Sequence, residues 1–264
     1  MGGATTFSRL FRRLSVLVPC AVIGATAAVV VPAGAAASVD LDQCRNGGAL
    51  ASSPCDATGW HNGNLNPQQA HYVEGQSAPY RLVMDELPLN TDITVVLGYD
   101  IKHGGKHAID FLTHYDRLEP HSGHSAEDVL PLDGVTGVSG TVGTFPIPAP
   151  SSALSPVAGQ PTAAFNALPA GERLMTLFGG TISAMAYLVQ GDLNDAGNAE
   201  SQINVTFKAD SAKAVLAWGG HIATAADWGA GSSAAGVSGS PYHMRAESWT
   251  LGNGKLGNQD RSMS

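Results

Sequence analysis

Apolar and polar residues alternate along this chain in short runs, and glycine, proline, asparagine and aspartate separate the runs. Between Thr91 and Ile101, the side chains of Ile93, Val95, Leu97, Tyr99 and Ile101 share one face while Thr94, Gly98 and Asp100 share the other. A period of two marks a half-buried strand, because successive side chains of an extended backbone point to opposite faces. The same reading predicts strands over 80–87, 108–115, 135–145, 173–188, 202–208, 212–222 and 242–251. Long runs of helical period are scarce. The spacing predicts an all-β fold, an antiparallel β-sandwich of jelly-roll or immunoglobulin-like type with long Gly/Pro/Ala-rich loops.

Two stretches depart from this pattern. Residues 1–37 carry Arg9, Arg12 and Arg13, an apolar run from Leu14 to Val31, and then Ala35-Ala36-Ala37. That order is the pattern of an export signal and predicts a secreted protein whose leader is removed near Ser38. Pro19, Gly24, Pro32 and Gly34 interrupt the run, and Pro19 ahead of Cys20 departs from a lipoprotein box, so no membrane anchor is expected in the mature chain. The second stretch, 146–170, holds Pro146, Pro148, Pro150, Pro156, Pro161 and Pro169, none of which can donate to a strand ladder. Too few strands precede it to close a domain of their own. It is expected to be a long loop wrapped over a single domain spanning 38–264.

The leader holds three of the 14 basic side chains and none of the 22 acidic ones, so the mature part carries 11 against 22, a net −11. Such a surface repels nucleic acid and suits solubility outside the cell. Beyond the leader the only cysteines are Cys44 and Cys55, and Asn46, Gly47, Gly48 and Pro54 between them suit a short loop closed by a disulfide.

Histidines crowd one region: His103, His107, His114, His121 and His124 alternate with Asp100, Asp110, Asp116, Glu119, Glu127 and Asp128. Imidazole and carboxylate together are zinc-type ligands, which makes His107, Asp110, His114, His121 and His124 candidates for a divalent metal. If Gly104-Gly105 forms a two-residue turn, His103 faces Lys106 and Tyr99 faces Asp110. Asp110 and His114 then share a buried face with Ala108 and Leu112, and a buried carboxylate needs a donor, either His114 or an arginine. A helical reading of 106–117 would also group His107, Asp110 and His114. The stretch from His121 to Asp128, between Pro120 and Pro131, reads as a polar loop. Trp218 and Trp249 fall in strand patterns and read as core, whereas Trp60 and Trp228 fall in loops and are candidate faces for a sugar or a partner. Neither a Gly-x-Ser-x-Gly elbow nor a His-Glu-x-x-His pair occurs.

Several stretches resemble an uncharacterised family of exported bacterial surface proteins: 60–66 (WHNGNLN), 72–75 (YVEG) with 79–81 (PYR), 105–110 (GKHAID), 217–222 (AWGGHI) and 239–245 (GSPYHMR). The resemblance implies a β-rich extracellular module with no assigned reaction. Taken together, the sequence predicts a secreted, non-catalytic binding or structural module that needs no cofactor and contacts a glycan or another surface protein. Two alternatives stand beside it: a divalent-metal-dependent extracellular hydrolase using the cluster at 100–128, and a self-associating subunit of an extracellular layer or fibre.

Overall fold

A computed structural model describes residues 1–2, 36–117, 128–240 and 242–263. In chain order the strands are β1 (Ser38–Cys44), β2 (Gly47–Gly48), β3 (Ala51–Ser52), β4 (Trp60–His61), β5 (Ser77–Asp85), β6 (Asp92–His103), β7 (Lys106–His107), β8 (Ile109–Thr113), β9 (Val142–Pro146), β10 (Leu174–Phe178), β11 (Gly180–Val189), β12 (Ala199–Ala209), β13 (Ala214–Ile222), β14 (Met244–Trp249) and β15 (Asp260–Arg261). Two short helices, α1 (Thr162–Ala167) and α2 (Ala225–Trp228), lie in the loops. One sheet runs β4-β1-β5-β13-β10-β9 with β8 also on β13; the other runs β11-β12-β6-β14-β15 with β7 also on β6. The fold is therefore an all-β sandwich of antiparallel sheets, as the alternating pattern predicts. Residues 35–264 form one compact unit.

Alternation drives the packing. Leu41, Tyr80, Leu82, Met84, Leu216 and Trp218 from the first sheet meet Ile93, Val95, Leu97, Tyr99, Ile203, Val205 and Phe207 from the second in one continuous core. Each such side chain contributes about 1.5–3 kcal/mol by leaving water. At the centre of the first sheet β13 is buried along its whole length. Its glycines permit this: a Cβ on Gly219 would stand 2.5 Å from Thr113 Oγ1 and 2.7 Å from the His114 carbonyl, and one on Gly220 would stand 3.3 Å from Tyr80 Cε2. Side chains there would push β8 and the Tyr80 ring away.

Three departures from the pattern shape the molecule. The predicted strand 173–188 is divided by Gly179, at φ +84°, so that β10 stays in one sheet and β11 crosses to the other. β1, unmarked by the alternation, pairs β5 from Ser38↔Asp85 to Gln43↔Tyr80. The hairpin at Gly104-Gly105 does set His103 opposite Lys106. After Ala108, however, the chain leaves β6, and β8 joins β13 in the facing sheet. Tyr99 consequently stands opposite Met244 and Ser201, not Asp110. The Pro-rich run folds back over the first sheet, where Ile147 and Phe165 are buried.

Candidate functional site

The polar centre of the molecule is built by an irregularity in the β8–β13 ladder. Leu112 aligns with Gly220 and Ile109 with Ile222, which leaves Asp110 and Phe111 together opposite His221. Such a bulge re-aims a side chain that strict alternation would have sent elsewhere. The Phe111 ring stacks on His221 at 4.4 Å between centroids, and Asp110 Oδ2 lies 3.3 Å from His221 Nδ1. Trp228 of α2 donates its indole N–H to Asp110 Oδ1 at 2.7 Å. Burial raises the Asp110 pKa from its ordinary value, and its bonds and charge interaction with His221, followed by the Trp228 bond, pull against that rise. Asp110 thus has hydrogen-bonding partners, as burial requires, but they are His221 and Trp228 rather than His114 or an arginine.

This acid anchors a loop. Trp228 closes α2, which Thr224 caps by accepting the Asp227 N–H on its hydroxyl at 3.1 Å. Gln160 from the Pro-rich run donates to Asp227 Oδ1 at 2.8 Å. At the start and the middle of the loop, Glu74 accepts the backbone N–H of Ala225 at 2.8 Å and of Ala235 at 2.9 Å. Burial acts to raise the Glu74 pKa, yet its bonds from Ser233, Ala235 and Ala225 outweigh that and hold it below the usual value. The carboxylate is therefore a structural clamp on the segment from Ala223 to Val237.

Beyond the clamp lies a groove. Tyr72, Val73, Glu74, Ile222, Ala234, Ala235 and Tyr242 line a cavity of about 400 Å³. A smaller one of about 100 Å³ shares Tyr72, Ile222 and Tyr242 and adds Ala70 and Met263. Tyr72 donates its hydroxyl to the Cys44 carbonyl and Tyr242 to the Ala234 carbonyl, each at 2.9 Å, which fixes both rings. Burial, with a smaller contribution from Glu74, pushes the Tyr242 phenol up to about 12, so it stays protonated. Rigid aromatic walls with few directed polar groups suit a ligand held by ring contact and shape.

The other candidate residues have separate surroundings. His107 stacks on Trp228 at 3.5 Å with 10° between the planes, and burial followed by the Lys102 charge lowers its pKa to about 4. His114 packs against Tyr115 at 4.2 Å and its Nδ1 accepts the Asp116 N–H. Among the described residues no three of His, Cys, Asp and Glu stand together as a metal site; His121 and His124 lie outside them. Trp60 and Trp228 are both buried. Trp60 donates its indole N–H to the Leu130 carbonyl, sits under the Arg81 guanidinium at 4.7 Å, and packs with Val129 on the Cys44–Cys55 disulfide.

Sequence reasoning did not single out Tyr72, Glu74, Tyr242 or His221 as site residues. Only His221 left a signal, as the one ionisable residue of an otherwise apolar strand. The groove residues come from four separate stretches, at 72–74, 222, 234–235 and 242, without regular period. No protein-family model, curated protein or solved structure matches the chain.

Proposed function

We propose that the protein is an exported, non-catalytic binding module of the bacterial surface type, which uses the groove between Tyr72 and Tyr242 to hold a glycan or a segment of another surface protein. The groove carries this reading: its walls are fixed before any ligand arrives, by the two tyrosine hydroxyl bonds and by Glu74 on the opposing loop. Preorganised walls reduce the ordering cost of binding, which favours recognition by a shallow site. Glu74, the one carboxylate lining the groove, has both oxygens committed to backbone N–H groups, which fits a wall better than a proton donor. The leader pattern and the disulfide support export.

The test is binding of the purified exported chain to arrayed cell-envelope glycans and to surface-protein extracts, with Tyr242→Ala and Tyr72→Ala compared with wild type. Loss of an aromatic wall is expected to weaken binding by about tenfold or more, in the range of a ring contact worth about 1–2 kcal/mol. Binding that neither substitution alters would refute the groove. A copurified divalent metal, lost together with a hydrolytic activity on His114→Ala, would instead establish the hydrolase.

A further inference from the structure

The chain gathers its scarce positive charge in one hairpin. From Ser38 onward 11 lysines and arginines stand against 22 acidic residues, yet residues 102–107 read Lys-His-Gly-Gly-Lys-His, with no acid from Ile101 to Ile109. Gly104 and Gly105, at φ +56° and +79°, form the two-residue turn between β6 and β7, a conformation that glycine adopts without strain. The turn sets His103 directly opposite Lys106. A protonated imidazole and an ammonium paired across a ladder repel each other, and a bound anion would relieve that cost.

The four basic side chains divide into two pairs. Lys102 is buried and donates to the Leu193 and Asp195 carbonyls, and His107 is buried against Trp228. Lys106 and His103, both half-buried, instead line a cavity of about 190 Å³ with Gly104, Gly236, Val237 and Ser238. The Lys106 ammonium donates to the Gly236 carbonyl and has no carboxylate partner among the described residues. A Cβ on Gly236 would stand 3.2 Å from Lys106 Nζ, so glycine there leaves the ammonium its room. His103 Nδ1 is closed off from water and has no hydrogen-bond partner. Two loops pack on the hairpin through the bonds Gly105 N–H to Gly197 and His107 N–H to Ser232. The acids of the first are engaged within it, Asp192 Oδ1 by the Asn194 N–H and Asp195 Oδ1 by the Gly197 N–H, and residues 229–238 of the second contain none.

We propose that this hairpin tip, together with Gly236, Val237 and Ser238, is an anion-binding site that takes a phosphoryl group. An ammonium, an imidazole and a serine hydroxyl are single donors from separate segments, which suits the tetrahedral oxygens of a phosphoryl group. The planar fork that matches a carboxylate at two points belongs to arginine, and no arginine lines the cavity. A chain of net −11 repels anions over most of its surface, so an anion is drawn to the place where positive charge is least compensated. This cavity shares no lining residue with the tyrosine groove, and the inference does not rest on it.

Titration of the purified exported chain, followed by amide NMR shifts at constant ionic strength, tests it with inorganic phosphate, glycerol 1-phosphate, acetate and phosphatidylglycerol vesicles. Saturable shifts confined to residues 103–106 and 236–238 are expected with both soluble phosphates, with acetate at least tenfold weaker. Lys106→Gln and, separately, His103→Gln should each weaken phosphate binding by about tenfold, the loss of one charge-assisted bond, with melting unchanged. Lys106→Arg should restore most of it, and Lys255→Gln, at an exposed lysine outside the cavity, should leave it intact. Vesicles that shift the same amides and lose their effect in Lys106→Gln would support the site and identify a lipid headgroup as a source of the phosphoryl group. No saturable shift with either soluble phosphate, an equal response to acetate, or binding indifferent to both Lys106→Gln and His103→Gln would each overturn the proposal.

Discussion

At the scale of single residues the governing fact is that Asp110 is buried and doubly engaged. Asp110→Ala strands the Trp228 indole N–H and the His221 ring nitrogen, and each unsatisfied buried group costs about 1–3 kcal/mol. A loss of about 2–4 kcal/mol is therefore expected from denaturant midpoints. Asp110→Asn keeps an oxygen for Trp228 and offers N–H to His221, so it should cost less than about 1 kcal/mol at neutral pH; equal losses for the two variants would show that the bonds are immaterial. Titration has the opposite sign for the two buried groups. Asp110, with its pKa raised on folding, gains relative stability as pH falls towards the carboxylate range. His107 falls from 6.5 to about 4 on folding, so its contribution is complete above pH 6.5 and is lost as pH drops towards 4. His114 is lowered too, with burial the first cause. Stability should therefore decline between pH 6.5 and 4 by on the order of 2 kcal/mol, and His107→Phe, which keeps the stack on Trp228, should flatten that decline. Thermal melts of both proteins across this range check it; identical slopes would rule His107 out.

Among the elements, the strand most remote from prediction is held by the feature best predicted. Cys44 at the end of β1 is joined to Cys55, closing a short loop whose eleven-residue separation corresponds to about 3 kcal/mol of loop-closure stabilisation. Replacing both cysteines with serine should lower stability by about that amount, and removing Trp60 from the same small cluster should lower it further. A double-serine variant that melts like wild type would show that the Arg81 network holds this corner alone, through the Asp42 ion pair at 2.9 Å and the Pro131 and Asp133 carbonyls. Strands such as β6 and β13 were legible because their burial follows the two-residue period or a continuous apolar run. β1 was not, since its SVDLDQC places polar Asp42 and Gln43 in buried positions paired through Arg81 and Gln43's bonds to Gly63 and Ser262. The partners of Asp110 were hidden for a related reason: the β8–β13 bulge shifts register by one, and no local composition marks where a ladder slips. The groove was invisible because it depends on which loops meet, which is decided by sheet order.

At the scale of the whole molecule, the two ends of the compact unit are stitched to each other by β1. Gln43 Nε2 donates to the Ser262 carbonyl at 2.8 Å, Leu41 N–H donates to Gln259 Oε1 at 2.8 Å, and Arg261 Nε donates to the Leu41 carbonyl at 2.6 Å. β1 also supplies Val39 and Leu41 to the core and lies between β4 and β5. The expected cleavage near Ser38 falls at the first residue of this strand, so a leader cut there removes the apolar run and leaves every one of these bonds in place. Intact mass of exported protein should therefore report a chain beginning within a few residues of Ser38, lighter by the two hydrogens of the disulfide. Deleting residues 38–44 as well should abolish cooperative melting, because the strand that joins β4 to β5, two core side chains and the ties to residues 259–262 go together; loss of a buried leucine alone costs about 2–5 kcal/mol, a large part of the 5–15 kcal/mol that holds a typical domain folded. A mature end well beyond Cys44, or an unchanged melt after that deletion, would show that β1 is dispensable and that the sandwich closes without it.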